Sequence, residues 1–199
     1  MPIHIVTDDE VELAARVLAD AFDADPVWSW FFADASARPH QLQALWGLHV
    51  RGALDYGWVH AAPGLEAIAL WFPPGAPGLA EPAASELDPL IDDLAGDDAG
   101  RVRRVFEVFD ANHPSSRPHY YLDLFGTDLR RRGQGIGMAL LSSCLERIDA
   151  DEMPAYLESS NPANLGRYES VGFRQIGSFT LPDEGPAVAT MWREPSTPD

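Results

Sequence analysis

Val11, Ala14, Leu18 and Phe22 recur at helical spacing behind Thr7-x-x-Glu10, a capping box, so a helix is predicted after a short strand at "IHIV". A second amphipathic pattern runs over 38–56, with Leu42, Leu45, Trp46, His49 and Leu54 inward and Gly57 as its stop. Between them Asp25-Pro26 breaks the period, and the aromatic cluster of "FDADPVWSWFFAD" is expected in a loop. "WVHAAPGLEAIALWF" reads as a hairpin, two apolar runs around Ala62-Pro63-Gly64. After the Pro/Gly/Ala-rich "PPGAPGLAEPAA" come helical patterns at 85–95 and 99–112 with acidic outer faces. The region of about 76–115 is expected to be a helical insertion within one domain, not a linker between two.

The second half is more regular. "HYYLDLFG" reads as a strand and a glycine-rich turn follows. Ile136, Leu140, Leu141, Cys144, Leu145 and Ile148 mark a helix, and "AYLESS" reads as another strand. Asn161-Pro162 supplies N-cap and first position for a helix ending at Gly172. "FRQIGSFTL" and "AVATMWR" form a last hairpin around "PDEGP". The sum is about seven strands with helices between, an α+β arrangement in a single domain over 1–199. Its strand–loop–helix–strand unit at 119–159 is expected to be a right-handed parallel crossover. "AVATMWR" as an edge strand would allow pairing across a dimer, so monomer and homodimer both stay open.

Charge narrows the partners. The chain has 199 residues and a formal net charge of -17, and all 14 basic residues are arginine. GC-rich coding and adaptation to salt both account for that balance. Such a surface repels nucleic acid and attracts small cations. One cysteine, Cys144, within an apolar helical pattern, reads as a buried structural thiol and excludes an internal disulfide. The six histidines show no ligand spacing, so no metal is expected. No secretory signal is evident, and apolar runs such as "AIALWF" fall far short of the roughly 20 residues that span a bilayer. A cytoplasmic protein without membrane contact is expected.

Against that acidic background, Arg130, Arg131 and Arg132 run into Gly133, Gly135 and Gly137. Strand, glycines, then helix is a geometry for phosphate, because first-turn N–H groups and the helix dipole favour an anion. Alternate glycines each lower helix propensity by about 1 kcal/mol and need a reason to be there. The plain alternative is a helix entry whose glycines only permit tight packing. A dinucleotide loop needs G-x-G-x-x-G, which the spacing 133, 135, 137 does not give, and a Walker loop needs a lysine that this chain lacks.

"LRRRGQGIGMALL" contains Arg132-x-x-Gly135-x-Gly137 and resembles the R/Q-x-x-G-x-G/A pyrophosphate loop of the GNAT superfamily of acetyl-CoA-dependent N-acetyltransferases. "PAYLESSNPANLGRYESVGF" resembles that family's fifth strand and next helix, and the stretch from Tyr121 through "LPDEGPAVATMWREP" resembles the puromycin N-acetyltransferase-like group within it. The resemblance implies a GNAT fold with splayed fourth and fifth strands. Coenzyme A would then lie on Arg132, Gly133, Gln134, Gly135, Ile136 and Gly137, its pantetheine arm on the backbone of Phe125, Gly126 and Thr127. Thr127-Asp128-Leu129 stands where relatives often have Val-x-Pro. Asn164 and Tyr168, four apart, reach one ligand from one helix face. Tyr168 is the candidate acid for the leaving thiolate, or else a core aromatic.

For the base, strand alternation puts Tyr121, Asp123 and Phe125 on one face, with Glu158 on the neighbouring strand. Asp123 and Glu158 each read as a proton acceptor or as a strand-end carboxylate in solvent or paired with arginine. Asp25, Trp28, Trp30 and Phe31 resemble the family's acceptor-side segment, and a carboxylate among aromatics suits an organic cation. The expected activity is acetyl transfer from acetyl-CoA to a primary amine of a small, antibiotic-like molecule. Peptide or protein N-termini are the alternative acceptors, and a non-catalytic acyl-CoA sensor is the alternative class.

Overall fold

The computed structural model describes residues 2–196. The chain runs β1 (His4–Ile5), α1 (Val11–Phe22), α2 (Pro26–Phe31), α3 (Arg38–Ala53), β2 (Val59–Ala61), β3 (Ala67–Phe72), α4 (Ala83–Ala95) and α5 (Ala99–Asn112). It continues with β4 (Tyr120–Thr127), α6 (Ile136–Ala150), β5 (Ala155–Ser159), α7 (Leu165–Glu169), β6 (Arg174–Thr180) and β7 (Ala187–Arg193). The strands form one sheet in the order β1-β2-β3-β4-β5-β7-β6, antiparallel except for the parallel β4–β5 pair. This is the α+β arrangement expected, but β7 lies inside the sheet. The edges are β1 and β6, so a role for "AVATMWR" as a pairing edge is corrected. A hairpin can fold either way round, and sequence spacing does not say which arm meets β5.

The capping box forms as its spacing demands: Glu10 accepts from the Thr7 N–H at 3.0 Å, and a short 3₁₀ turn leads into α1. Alanines 14, 15 and 19 with Leu18 bury the inner face of α1, their small volume letting α3 come close. The aromatic loop expected after α1 is instead the six-residue α2. Asp25 caps it, accepting from the N–H groups of Val27 (3.0 Å) and Trp28 (3.5 Å), with Pro26 as its first residue. The dipeptide that ends one helix starts the next.

Two apolar layers flank the sheet. Helices α1 to α5 share a core on one face with Leu70, Phe72 and Leu124. On the other face, α6 buries Leu140, Leu141, Cys144 and Ile148 against Trp71 and Leu122. Side chains of this size contribute about 1.5–3 kcal/mol each when fully buried. The two faces also expose a break in β4. Leu124 pairs with Leu70 and Leu122 with Trp71, so Asp123 has no partner on β3 and forms a bulge. Leu122 and Leu124 therefore lie on opposite faces, whereas an unbroken strand would put them together. The expectation that Tyr121, Asp123 and Phe125 share one face fails here: Tyr121 packs with the α1–α5 layer and Phe125 with α6.

Candidate active site

The parallel pair opens into a split. β4 and β5 pair at Tyr120–Ala155, Tyr121–Tyr156 and Leu122–Leu157, while β4 runs on to Thr127 and β5 to Ser159. Beyond Leu122 the β5-facing edge of β4 has no partner strand among the described residues, so its backbone groups are open to a ligand. β5 is drawn away through Ser160, whose hydroxyl donates to Asp25 at 2.7 Å. The bulge at Asp123 adds to the divergence by twisting β4 where the split begins.

At the far end of the split, Gly133 (φ 79°) and Gly135 (φ 77°) adopt the left-handed conformation that glycine tolerates without strain. Gly135 caps α6, leaving the first-turn N–H groups of Ile136, Gly137 and Met138 without intrahelical acceptors. Gly137 is fixed by packing: a Cβ there would collide with Thr127 Oγ1 and press Phe125 Cζ at 3.3 Å. The three arginines anchor the turn. Arg130 grips Asp128 with two nitrogens (3.1 and 2.7 Å), Arg131 pairs with Glu66 at 2.7 Å, and Arg132 donates to the Ala21 carbonyl at 2.9 Å. Hydrogen bonds from Arg130 hold the Asp128 carboxyl down to about 2.

At the near end lies a cavity of about 630 Å³, within the range of small-molecule sites. Its walls are aromatic, with Trp28, Trp46, Phe72, Phe106, Phe109 and Tyr168 among them, and its acids are Asp110, Asp123 and Glu158. Residues of 113–119, between α5 and β4, close one side.

Two polar clusters meet this cavity. His49 Nδ1 lies 2.9 Å from Asp123 Oδ2; the carboxylate fixes the proton on Nδ1 and leaves Nε2 as the lone-pair nitrogen. Nε2 is buried and makes no hydrogen bond within the protein. Trp46 meets the imidazole edge-on at 5.4 Å and Phe106 stacks at 6.4 Å, so the ring is held on three sides. In the second cluster, Glu158 has a 3% exposed side chain, and neither oxygen makes a hydrogen bond. His113 Nδ1 stands 3.6 Å from it, and the other nitrogen of His113 is 3.0 Å from His119 Nε2. His119 donates through Nδ1 to the Arg117 carbonyl at 2.8 Å. Burial, then the Glu158 charge, holds the phenols of Tyr121 and Tyr156 well above their ordinary value. Burial, and next the charge of Asp25, does the same to Tyr168.

Residues 111–191 match the model of the acetyltransferase (GNAT) domain. A structure described as histone acetyltransferase HPA2 and related acetyltransferase, from Corynebacterium glutamicum, is 24% identical with a TM-score of 0.69, over 98% of this chain and 97% of that one. A polyamine N-acetyltransferase of Drosophila melanogaster is 14% identical with a TM-score of 0.61, over 97% and 99%. An agmatine N-acetyltransferase mutant in its apo form is 13% identical with a TM-score of 0.64, over 97% and 98%. The fold is the GNAT acetyltransferase fold. Domain match and fold together support an N-acetyltransferase.

Within this GNAT fold the expected site residues separate. Phe125, Asn164, Tyr168, Asp123 and Glu158 all line the cavity. Gly126, Thr127 and the turn from Arg132 through Gly133, Gln134, Gly135 and Ile136 to Gly137 lie beyond it, toward α6. Gly126 faces α1, where a Cβ would stand 2.8 Å from that of Ala21. Asn164 accepts from Arg167 at 2.9 Å.

Of Asp25, Trp28, Trp30 and Phe31, Trp28 reaches the cavity wall and the other three do not. Asp25 is spent on the α2 cap and Ser160, Trp30 carries the Arg101 guanidinium 4.8 Å above its ring, and Phe31 is core. Cys144 is buried 3.6 Å from His60 Nδ1, and burial pushes its thiol up to about 12. Sequence reasoning missed His49, His113 and His119 as site residues. The one available signal was His49 on an otherwise apolar helix face. No group of ligands able to hold a metal occurs among the described residues, and no helix there is long and apolar enough to cross a membrane.

Proposed function

We propose that this protein transfers an acetyl group from acetyl-CoA to the primary amine of a small cationic molecule. The observation that carries the reading is the β4–β5 split, with a glycine turn at one end and an aromatic, acidic cavity at the other. The residues fit coenzyme A. The N–H groups at Gly133–Gly137 suit its diphosphate, and the open edge of β4 from Phe125 to Thr127 suits the amides of an extended pantetheine arm. Acetyl-CoA supplies the activated acyl thioester; the chain supplies position and proton transfer.

Tyr168 stands at the cavity end of the split as proton donor to the departing thiolate. Its raised phenol value keeps the proton on the oxygen until that charge develops. Aromatic walls with three carboxylates favour an organic cation over an anion or a neutral alcohol. The agmatine and polyamine N-acetyltransferases of like fold act on amines of that kind, and the aromatic area also suits an aminonucleoside of the puromycin type. A cavity walled on one side by 113–119 favours a small molecule over a peptide N-terminus.

The test is release of free thiol from acetyl-CoA against a panel of diamines, guanidinoamines, aminonucleosides and N-terminal peptides. Turnover on small cationic amines is expected, with Tyr168→Phe lowering kcat at least about tenfold and leaving coenzyme A affinity unchanged. Tight coenzyme A binding without turnover on any amine would instead make the domain an acyl-CoA sensor.

A further inference from the structure

The acetyltransferase reading leaves one proton without an acceptor: the attacking amine has to lose it before its lone pair is free. Asp123 on β4 and Glu158 on β5 are the carboxylates that the two parting strands themselves bring to the cavity, and their surroundings differ. Glu158 lines the cavity with both oxygens buried, crowded by the phenols of Tyr121 and Tyr156 and with His113 3.6 Å away. Asp123 is already committed to His49 at 2.9 Å. That commitment leaves an imidazole with one nitrogen oriented by a carboxylate and the other without a partner, on a side chain that is 10% exposed and lines the cavity. A buried nitrogen lone pair with no protein donor nearby takes its hydrogen bond from whatever enters the cavity.

We propose, resting on the acetyltransferase reading, that His49 is the catalytic base and that Asp123 is its positioning residue, not a base itself. The substrate ammonium gives up two protons. The first N–H bond breaks toward His49 Nε2, whose lone pair takes the proton, and the nitrogen pair so released attacks the acetyl carbonyl carbon. The C–S bond then breaks, the thiolate takes the phenolic proton of Tyr168, and the new amide nitrogen returns its second proton to Tyr168. The imidazolium passes the first proton to water, so the balance is amide, free thiol and one solvent proton. Asp123 stabilises the imidazolium and fixes which nitrogen accepts. Asp123, two residues after Tyr121, is turned to the layer that holds α3, and at the mouth of the split, where the bulge leaves it without a partner on β3, it meets His49.

The groups facing His49 from neighbouring elements are few. β4 offers Asp123 and Tyr121, α1 Phe22, α2 Trp28, α4 Leu87, and α5 Phe106, Phe109 and Asp110; His113, Arg117, His119, Glu158 and Tyr168 are the other titratable or charged groups of the wall. The pH profile of kcat/KM is therefore measured for the wild type and for His49→Ala, His49→Gln and Asp123→Asn, with coenzyme A affinity by calorimetry as the check on folding.

Both His49 variants are expected to lose about 10²–10⁴-fold in kcat with coenzyme A affinity unchanged. The acidic limb of the profile should disappear, and added imidazole should restore rate to His49→Ala but not to Tyr168→Phe. Asp123→Asn should keep the acidic limb but displace it, which a merely structural role would not do. A wild type that acetylates amines while His49→Ala keeps its rate and its acidic limb overturns the inference and leaves the acetyltransferase reading intact. A wild type that binds coenzyme A and acetylates no amine overturns both.

Discussion

The unit from β4 through α6 to β5 and the helical layer from α1 to α5 meet in one cavity, yet they are built by different rules. In the first, the features that make the site are neighbours in sequence: a bulge at Asp123, a turn at Gly133 and Gly135, a helix start at Ile136. In the second, the cavity wall is assembled across long separations, as in the Asp123–His49 contact 74 positions apart. A short motif can specify a backbone shape that grips a common group such as a diphosphate. The acceptor surface is a tertiary product, free to vary while the motif stays.

The largest expected effect therefore falls on the motif. Gly137→Val places a branched side chain where even a Cβ meets Thr127 and Phe125, so α6 has to move off β4. Calorimetric titration should show coenzyme A affinity falling by about a hundredfold, the equivalent of about 2.8 kcal/mol of charge-assisted hydrogen bonding. Thermal unfolding should show the about 1–3 kcal/mol of strain that overpacking produces. Unchanged affinity would mean the turn does not hold the nucleotide, and the contrast between the two regions would collapse.

The same contrast sets what could be read from residues alone. All seven strands, the helices Ala83–Ala95 and Ala99–Asn112 and the glycine turn were legible because each has a local period or a local breaker. The order of β6 and β7 was not, since hairpin spacing is symmetric. The bulge was hidden because strict alternation is the only rule a single strand offers, and one skipped residue moves Phe125 to the α6 face. Asp25 misled in an instructive way. A carboxylate among aromatics reads as a cation site, but Asp-Pro is also the start of a helix, and the cap took the side chain. His49 was visible as an inward histidine and unreadable as a partner of Asp123.

A smaller effect separates the two tryptophans of α2. Trp28 packs edge-on against Trp46 at 4.5 Å and shows one face to the cavity, whereas Trp30 serves Arg101 on the outside. Trp28→Phe should raise the KM for a cationic amine by about three- to tenfold, the scale of one weakened cation–π contact. Trp30→Ala should leave KM within about twofold and lower only stability, by about 0.5–1 kcal/mol. Equal KM effects would mean that the whole aromatic segment touches the acceptor and that the outward face of α2 belongs to the site.

The smallest effect is at Asp25, and its sign separates a cap from a ligand-binding acid. Burial raises the Asp25 carboxyl above its ordinary value, and hydrogen bonds from Ser160, Val27 and Trp28 only partly offset this. The folded state thus holds the proton more tightly than the unfolded chain does. Its contribution to stability is full below the unfolded carboxyl value and is lost as pH rises through the raised folded one. Asp25→Asn keeps the cap, about 1 kcal/mol, because asparagine accepts from the same N–H groups, and it removes the titration. Urea unfolding of both proteins should therefore show the variant gaining on the wild type as pH rises from the acid range toward neutrality, then holding level. A variant that instead loses ground over that span would show the ionised carboxylate to be favourably held. Asp25 would then rejoin the groups able to meet a cation, and the division of labour between Trp28 and the rest of its helix would have to be redrawn.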